Sequence, residues 1–276
     1  MKIKVSCVQM EPKLFDVQYN LEKMTNLIAE VMEQDNETDL IVFPELITSG
    51  YECGSEFQNL AETIEDGQSI KVIAELAKKF NTNIVYGFPE RDNTLKDILY
   101  NSSVCIDNNG NVSGVYRKVH LFDTEKRYFR AGCDFPIFNT SFGKIGVMIC
   151  WDTAFPEVAR TYCLKGAELL VVNTNWEKPY SEDWDLVTRA RAFDNCMYLV
   201  AANRIGQDKE LGFFGHSKII DPVGRPLKEL NEEVEGIISA ELDLELPKKL
   251  RSEYYTIFND RRPELYGEIV KKLLGK

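Results

Sequence analysis

The stretch "GVMICWDTAFPEVAR", residues 146–160, joins a short apolar run to a polar turn and then to an amphipathic segment. Residues 147–149 have the composition of a buried strand, and Pro156 suits the first turn of a helix. Cys150 lies where the strand ends. A cysteine inside an apolar element is usually an inert small side chain, whereas one at such a junction can present its sulfur at the edge of a cleft. The stretch therefore predicts a strand–turn–helix unit with an accessible thiol.

Strand-like and helix-like patterns alternate along the rest of the chain. The predicted strands cover residues 3–10, 40–43, 83–88, 100–107, 111–118, 143–150, 168–174 and 197–203, with two more between 215 and 242. The predicted helices cover about 21–31, 69–80, 156–165 and 183–195, with Asn20 and Ser69 as caps of the first two. Because no linker, repeat or low-complexity block interrupts the pattern, we expect a single layered α/β domain.

Composition and charge exclude several classes of partner. The chain has 276 residues, of which 44% are hydrophobic, and a net charge of −11. This charge repels phosphate backbones and anionic lipids, so we expect binding neither to nucleic acid nor to a membrane. The first strand is too short and polar for a signal peptide, and no apolar stretch approaches the roughly 20 residues needed to span a bilayer. A cytoplasmic protein is expected.

The metal-binding residue types are sparse. The seven cysteines are widely spaced and include no C-x-x-C pair, which argues against disulfides and against structural zinc. Only two histidines are present, His120 and His216. We therefore expect neither a metal nor another cofactor.

Two further strand ends carry reactive side chains. Glu45 follows the apolar run "DLIVF" and Pro44, and Lys118 ends the predicted hairpin. Open α/β sheets place their sites at the carboxyl ends of strands, so these residues and Cys150 fit one shared cleft. A free thiol, with a pKa of about 8.5, needs a base to act as a nucleophile at neutral pH, and the Glu45 carboxylate can serve as that base.

Each of these residues also has a simpler interpretation when taken alone. Cys150 could be a small buried side chain without a chemical role. Lys118 could be an ordinary surface lysine, and Glu45 could be a solvated carboxylate in a loop. The tripeptide Phe-Pro-Glu occurs at 43–45, 88–90 and 155–157, so it carries no information by itself. Only the joint occurrence of the three side chains favours a catalytic site.

Three blocks in chain order, "LIVFPEL", "YRKVHLF" and "GVMICWDTAFPEVAR", together resemble the nitrilase superfamily of carbon-nitrogen hydrolases. Matches at "VQM", "WDLVTRARAFDN" and "GHSKIIDPVGRPL" extend the resemblance over nearly the whole chain. The resemblance implies a Glu45–Lys118–Cys150 triad in a four-layer αββα sandwich formed by one domain, residues 1–276. It also implies a homodimer or higher homo-oligomer, for which the tail 246–276 is a candidate subunit contact.

The same resemblance implies a second glutamate seven positions after the lysine, Glu125, which would orient the substrate and support Lys118. The expected reaction is hydrolysis of a small linear amide or N-carbamoyl compound through an acyl-enzyme, with release of ammonia. Nitrile-active members often have Cys-Trp-Glu at the nucleophile, whereas this chain has Cys-Trp-Asp, which favours an amidase or carbamoylase. The expected substrate-binding residues are Tyr51, Trp151, Trp176 and Glu177, with Glu177 facing a cationic substrate tail.

Three alternatives stay open from the residues. A nitrilase would use the same triad on a small nitrile. A papain-type or glutaminase-type enzyme would need His216 as the base for Cys150. An interaction protein on the same scaffold would need none of the triad residues for its function.

Overall fold

A computed structural model describes residues 1–272, which form two six-stranded sheets and their covering helices. The first sheet contains, in spatial order, β14 (Gly236–Asp243), β1 (Lys2–Gln9), β2 (Leu40–Val42), β3 (Asn83–Arg91), β4 (Leu99–Ile106) and β5 (Val112–Arg117). The second contains β13 (Pro226–Glu229), β12 (Lys218–Ile220), β9 (Leu199–Asn203), β8 (Leu169–Thr174), β7 (Gly143–Ile149) and β6 (Ile137–Thr140). A separate small hairpin contains β10 (Ile205–Gln207) and β11 (Gly212–Phe214).

Four helices cover the outer faces of the sheets: α1 (Val17–Gln34) and α3 (Gln68–Phe80) on the first, and α4 (Pro156–Leu164) and α5 (Ser181–Asn195) on the second. Two further helices are α2 (Phe57–Leu60) and α6 (Glu245–Glu253). Met24 of α1 and Ile73 of α3 pack in one apolar core with Ile41 of the first sheet. Ala159 of α4 and Ala192 of α5 belong to the core that contains the second sheet. The layers are helix, sheet, sheet and helix, so the predicted αββα sandwich is confirmed.

The inner faces of the two sheets share one apolar core. Val5 and Val85 of the first sheet lie in the same buried cluster as Val147 and Val171 of the second. Strands β1, β2 and β3 run parallel to one another, as do β7, β8 and β9. The carboxyl ends of β2 and β7 therefore lead into loops that meet, which places Glu45 and Cys150 beside each other.

The expected helix caps are wrong. Helix α1 begins at Val17, and the Asp16 side chain accepts a hydrogen bond from the Tyr19 amide as its cap. Asn20 lies inside the helix. Its side chain hydrogen-bonds to the backbone of Lys13 and Thr48 and does not cap the helix. Ser69 likewise lies inside α3, where its amide and hydroxyl donate to Glu62.

The carboxyl-terminal strands also differ from expectation. Two strands are predicted between 215 and 242, but the structure has three. β12 and β13 pair in the second sheet, whereas β14 pairs antiparallel with β1 in the first. The chain thus crosses between the sheets after β13, which local patterns do not reveal.

The region of the expected tail, 246–276, contains most of α6 and two 3₁₀ turns, Pro263–Leu265 and Gly267–Val270. Its last four residues lie outside the described part of the chain. Among residues 1–272, no helix combines the length and the apolar character needed to cross a membrane.

Candidate active site

Four side chains predicted from the sequence come together beneath the ends of β2, β5 and β7. The Lys118 ammonium lies 2.8 Å from Glu45 Oε1 and 2.7 Å from Glu125 Oε1. Glu45 and Lys118 are completely buried and Glu125 is 3% exposed. Cys150, 7% exposed, lies close enough for all three charges to act on its thiol.

The loop after β2 places Glu45 by packing closely on β3. A Cβ atom on Gly87 would lie 2.6 Å from the Glu45 Cα, so only glycine permits this approach. The Ile47 amide donates to the Gly87 carbonyl at 2.9 Å and fixes the contact. Both carboxylate oxygens are then occupied: Oε1 by Lys118 and the Asn101 amide, and Oε2 by the Asn175 backbone N–H at 2.8 Å.

Cys150 begins a 3₁₀ turn, Cys150–Ala154, directly after β7. Its φ of 44° lies in the left-handed region, which is strained for a residue with a side chain. The Thr153 hydroxyl donates to the Cys150 carbonyl at 2.6 Å and holds the turn. The strain is of the kind found where a fold must present a nucleophile in a fixed direction.

Asp152 connects this turn to the segment that carries Lys118. Its buried carboxylate accepts from the Tyr116 hydroxyl at 2.7 Å and from the amides of Ile149 and His120 at 3.1 Å. Tyr116 and His120 lie on either side of Lys118 in the chain. Asp152 thus fixes Cys150 and Lys118 relative to each other, although it does not line the cavity next to the thiol.

The electrostatics follow from burial and from two carboxylates facing one ammonium. Burial lowers the pKa of Lys118, but Glu125 and Glu45 outweigh it and hold that pKa well above its ordinary value. Burial raises the pKa of Glu125; Lys118 opposes the rise and Glu45 adds to it. Burial and Glu45 also raise the pKa of the Cys150 thiol above its ordinary value, although Lys118 opposes them. The resting thiol is therefore protonated.

Cys150 opens into a cavity of about 220 Å³ with largely aromatic walls. The residues around it are Tyr51, Phe122, Cys150, Trp151, Asn175, Trp176, Glu177, Tyr180 and Asp183. All four expected substrate-binding positions, Tyr51, Trp151, Trp176 and Glu177, lie in this wall. The Tyr51 hydroxyl also donates to Glu125 Oε1 at 2.8 Å, which links the wall to the buried charges.

Neither histidine belongs to the cavity wall. His120 Nδ1 lies 2.8 Å from Asp152 Oδ1, and its ring stacks on Phe155. The His216 carbonyl accepts from Trp184 Nε1 at 2.9 Å. The geometry gives Cys150 a carboxylate neighbour and no imidazole, contrary to the papain-type alternative.

One group of possible metal ligands lies elsewhere in the described chain: Asp185, His216 and Glu229. The Lys218 ammonium pairs with both carboxylates of this group, at 2.8 Å from Glu229 Oε1. Since the lysine already pairs with both carboxylates, the group is explained as an ion-pair cluster.

The sequence profile of the family described as carbon-nitrogen hydrolase matches residues 4–252. The chain belongs to this family. The nitrilase-superfamily resemblance is thereby confirmed, and the protein is an enzyme that acts on carbon–nitrogen bonds.

Several relatives of this carbon-nitrogen hydrolase match it over nearly their full length. A probable nitrilase of Schizosaccharomyces pombe is 60% identical over 98% of this chain and 99% of its own. A 2-oxoglutaramate amidase of Bacillus subtilis is 36% identical over 96% and 100%. An N-carbamoylputrescine amidase of Arabidopsis thaliana is 34% identical over 91% and 90%. A crystal structure of a carbon-nitrogen hydrolase from Helicobacter pylori superposes with a TM-score of 0.91, at 30% identity over 98% and 99%.

The sequence analysis missed two residues that contact the Glu45 carboxylate, Asn101 and Asn175. Asn101 lies on β4 and Asn175 follows β8, 56 and 130 positions away from Glu45. No local sequence motif marks Asn101 within its strand or Asn175 after its strand. The only signal in the sequence is that Asn175 also follows a parallel strand end, as Glu45 and Cys150 do.

Proposed function

We propose that this enzyme hydrolyses a small linear amide or N-carbamoyl compound through a thioester on Cys150 and releases ammonia. The observation that carries the proposal is the buried Lys118 ammonium held between the carboxylates of Glu45 and Glu125, beside the cavity into which Cys150 opens. A carboxylate base, a fixed cation and a thiol can together carry out acyl transfer from an amide. Two relatives are amidases by name, one of them acting on an N-carbamoyl amine.

In the first half-reaction, Cys150 Sγ attacks the carbonyl carbon while its proton passes to Glu45. The negative charge that develops on the substrate oxygen faces the Lys118 ammonium and the backbone N–H of Trp151. The tetrahedral intermediate then collapses: the carbon–nitrogen bond breaks, and protonated Glu45 gives its proton to the departing ammonia or amine. The acyl group stays on the sulfur as a thioester.

In the second half-reaction, Glu45 accepts a proton from water as the water attacks the thioester. The same oxyanion donors stabilise the second tetrahedral intermediate. The carbon–sulfur bond then breaks, and protonated Glu45 returns its proton to the sulfur, which regenerates the thiol. Glu45 thus acts as a base and then as an acid in each half-reaction. Its carboxylate stays in place throughout because Asn101 and Asn175 hold its two oxygens.

The cavity limits the substrate to a short chain. A volume of about 220 Å³ holds only a small ligand, and the aromatic walls suit a linear aliphatic part. Trp151, Trp176 and Tyr51 are proposed to pack on that part. Glu177, half-buried in the cavity wall, is proposed to meet a cationic tail where the substrate has one.

An ammonia-release screen across short amides, ureido compounds and nitriles tests the proposal, with Cys150→Ala as the blank. We expect release from amides or ureido compounds, and a mass increase on Cys150 equal to the acyl or carbamoyl group in rapidly quenched enzyme. Turnover of nitriles alone would favour the alternative activity that the name of the S. pombe relative suggests. Activity above a tenth of wild type in Cys150→Ala would rule out the nucleophile.

We also propose that the protein is a cytoplasmic homo-oligomer and that the tail contacts a second subunit. Tyr254, Leu265, Ile269 and Val270 are each at least 60% exposed, an apolar set that a partner surface would cover. All seven cysteines are free thiols, as is usual in a reducing compartment. Light scattering of the wild type and of Val270→Asp tests the contact, and we expect a lower mass for the variant.

A further inference from the structure

The side chain of Asn175 is buried at the cavity wall without a protein partner. It is 4% exposed, and neither Oδ1 nor Nδ2 has a hydrogen-bond partner within residues 1–272. Other buried asparagines nearby are satisfied by the fold: Asn173 Oδ1 accepts from Ser103 at 2.7 Å, and Asn203 Nδ2 donates to the Gly215 carbonyl at 2.7 Å. The fold alone therefore explains Asn173 and Asn203 but leaves the carboxamide of Asn175 unexplained.

The position of Asn175 relates it to the reacting nitrogen. Its backbone N–H lies 2.8 Å from Glu45 Oε2, and its side chain shares the cavity wall with Cys150. In the proposed reaction, Glu45 passes its proton to the departing nitrogen of a group attacked by Cys150. That nitrogen therefore lies in the cavity whose wall includes Asn175.

We infer that Asn175 is a specificity-determining residue whose Oδ1 accepts a hydrogen bond from the N–H of the scissile amide or ureido group. This inference rests on the proposed function. An amide or ureido group offers an N–H, which the unpaired Oδ1 can accept. A nitrile or an ester has no N–H at the scissile group and leaves Oδ1 unpaired. The residue thus selects amides and ureido compounds against nitriles and esters.

The test compares two compounds with the same acyl part, butyramide and methyl butyrate, in the wild type and in Asn175→Leu. The backbone N–H that holds Glu45 is kept in this variant, and leucine has the same branching at Cγ as asparagine. We expect kcat/KM for butyramide to fall about 10- to 100-fold while kcat/KM for methyl butyrate changes less than about threefold. Asn175→Ala is expected to give the same pattern and guards against misfolding caused by the larger apolar side chain.

Asn101→Leu is the matched control, because Asn101 also contacts Glu45 but does not belong to the cavity wall. This variant is expected to lower kcat/KM for butyramide and for methyl butyrate by similar factors. It disturbs the Glu45 carboxylate, which both reactions use, and leaves the proposed contact between Asn175 and the substrate N–H in place. Equal losses for both compounds in the Asn175 variants, or no loss, would overturn the inference while leaving Cys150-dependent hydrolysis intact. A wild-type protein that shows no Cys150-dependent ammonia release from any amide or ureido compound of the screen would contradict the proposed function itself.

Discussion

The ammonium of Lys118 lies 2.7 Å from the carboxylate of Glu125, and both groups are almost completely buried. A second carboxylate, Glu45, lies 2.8 Å from the same ammonium, so the buried cluster holds two acids and one base. The surplus negative charge explains why the pKa of Lys118 is held high although burial lowers it, and why burial and Glu45 together raise the pKa of Glu125. Removing the ammonium should therefore affect both catalysis and folding.

Lys118→Met is expected to lower kcat by about 10²- to 10³-fold, because it removes a donor to the developing oxyanion. It is also expected to lower the free energy of unfolding by about 3–5 kcal/mol, because it leaves buried carboxylates without a counter-charge. Steady-state kinetics and thermal melting measure the two effects. Lys126→Met, an exposed lysine next to Glu125, is the control and should change neither.

The destabilisation of Lys118→Met should depend on pH. Burial already raises the pKa of Glu125, and losing the ammonium removes the largest influence that opposes that rise. A group with a raised pKa in the folded state stabilises the fold at low pH and loses that contribution as pH rises through the raised pKa. The difference in Tm between wild type and variant should thus be larger at pH 8 than at pH 5. A difference that shrinks at pH 8 would contradict this account of the cluster.

Glu125→Gln should reduce kcat more than Tyr51→Phe does. The first change removes the negative charge beside Lys118, whereas the second removes only the hydroxyl that donates to Glu125 Oε1. We expect losses of about 10- to 100-fold and about 2- to 10-fold, the second being typical of one hydrogen bond to a charged group. Unchanged kinetics for Glu125→Gln would remove Glu125 from the site.

The proximity of Glu45, Lys118 and Cys150 could be predicted from the sequence only through the joint resemblance, as the three Phe-Pro-Glu tripeptides illustrate. Glu45 is buried against Lys118, Glu90 pairs with Arg117 and Ser102, and Glu157 is exposed at the start of α4. The local residues are identical, and the long-range partners decide each outcome. Strand order and the placement of Asn101 and Asn175 could not be predicted for the same reason.

Asp152 shows a second limit of sequence reasoning. The comparison of Cys-Trp-Asp with Cys-Trp-Glu treats this position as a marker of substrate choice, yet its carboxylate is bonded to Tyr116, His120 and Ile149 and does not line the cavity. The Asp152 side chain therefore does not contact a substrate in the cavity directly, even if this position differs between amidases and nitrilases.

Asp152→Glu is therefore expected not to raise nitrile turnover. The added methylene enters a fully buried site and should destabilise the protein by about 1–3 kcal/mol. Ammonia release from butyronitrile and thermal melting test both statements. A gain of nitrile activity in this variant would mean that the position acts on the substrate after all.

Glu177→Gln should weaken the binding of amides with a cationic tail. Glu177 lines the cavity, and Asp123 and Glu52 lie near enough to influence its titration, so this side of the cavity is acidic. The test pair is a cationic amide, 4-aminobutyramide, and a neutral one, pentanamide. In the variant we expect KM for the cationic amide to rise about 5- to 30-fold, equivalent to about 1–2 kcal/mol, and KM for the neutral amide to stay unchanged. Asp183→Asn is the matched control, because Asp183 also lines the cavity but is exposed, where solvent screens its charge.

Glu177 should also make the preference for the cationic amide over the neutral one depend on pH. Burial, followed by the charges of Asp123 and Glu52, raises the pKa of Glu177 above its ordinary value. Its negative charge is therefore lost, as pH falls, at a higher pH than for a solvated glutamate, and KM for the cationic amide should rise with that loss. Pentanamide should show no such rise, and Glu177→Gln should abolish the difference between the two pH profiles. If the profiles of the two amides stay parallel in the wild type, Glu177 does not contact the cationic tail.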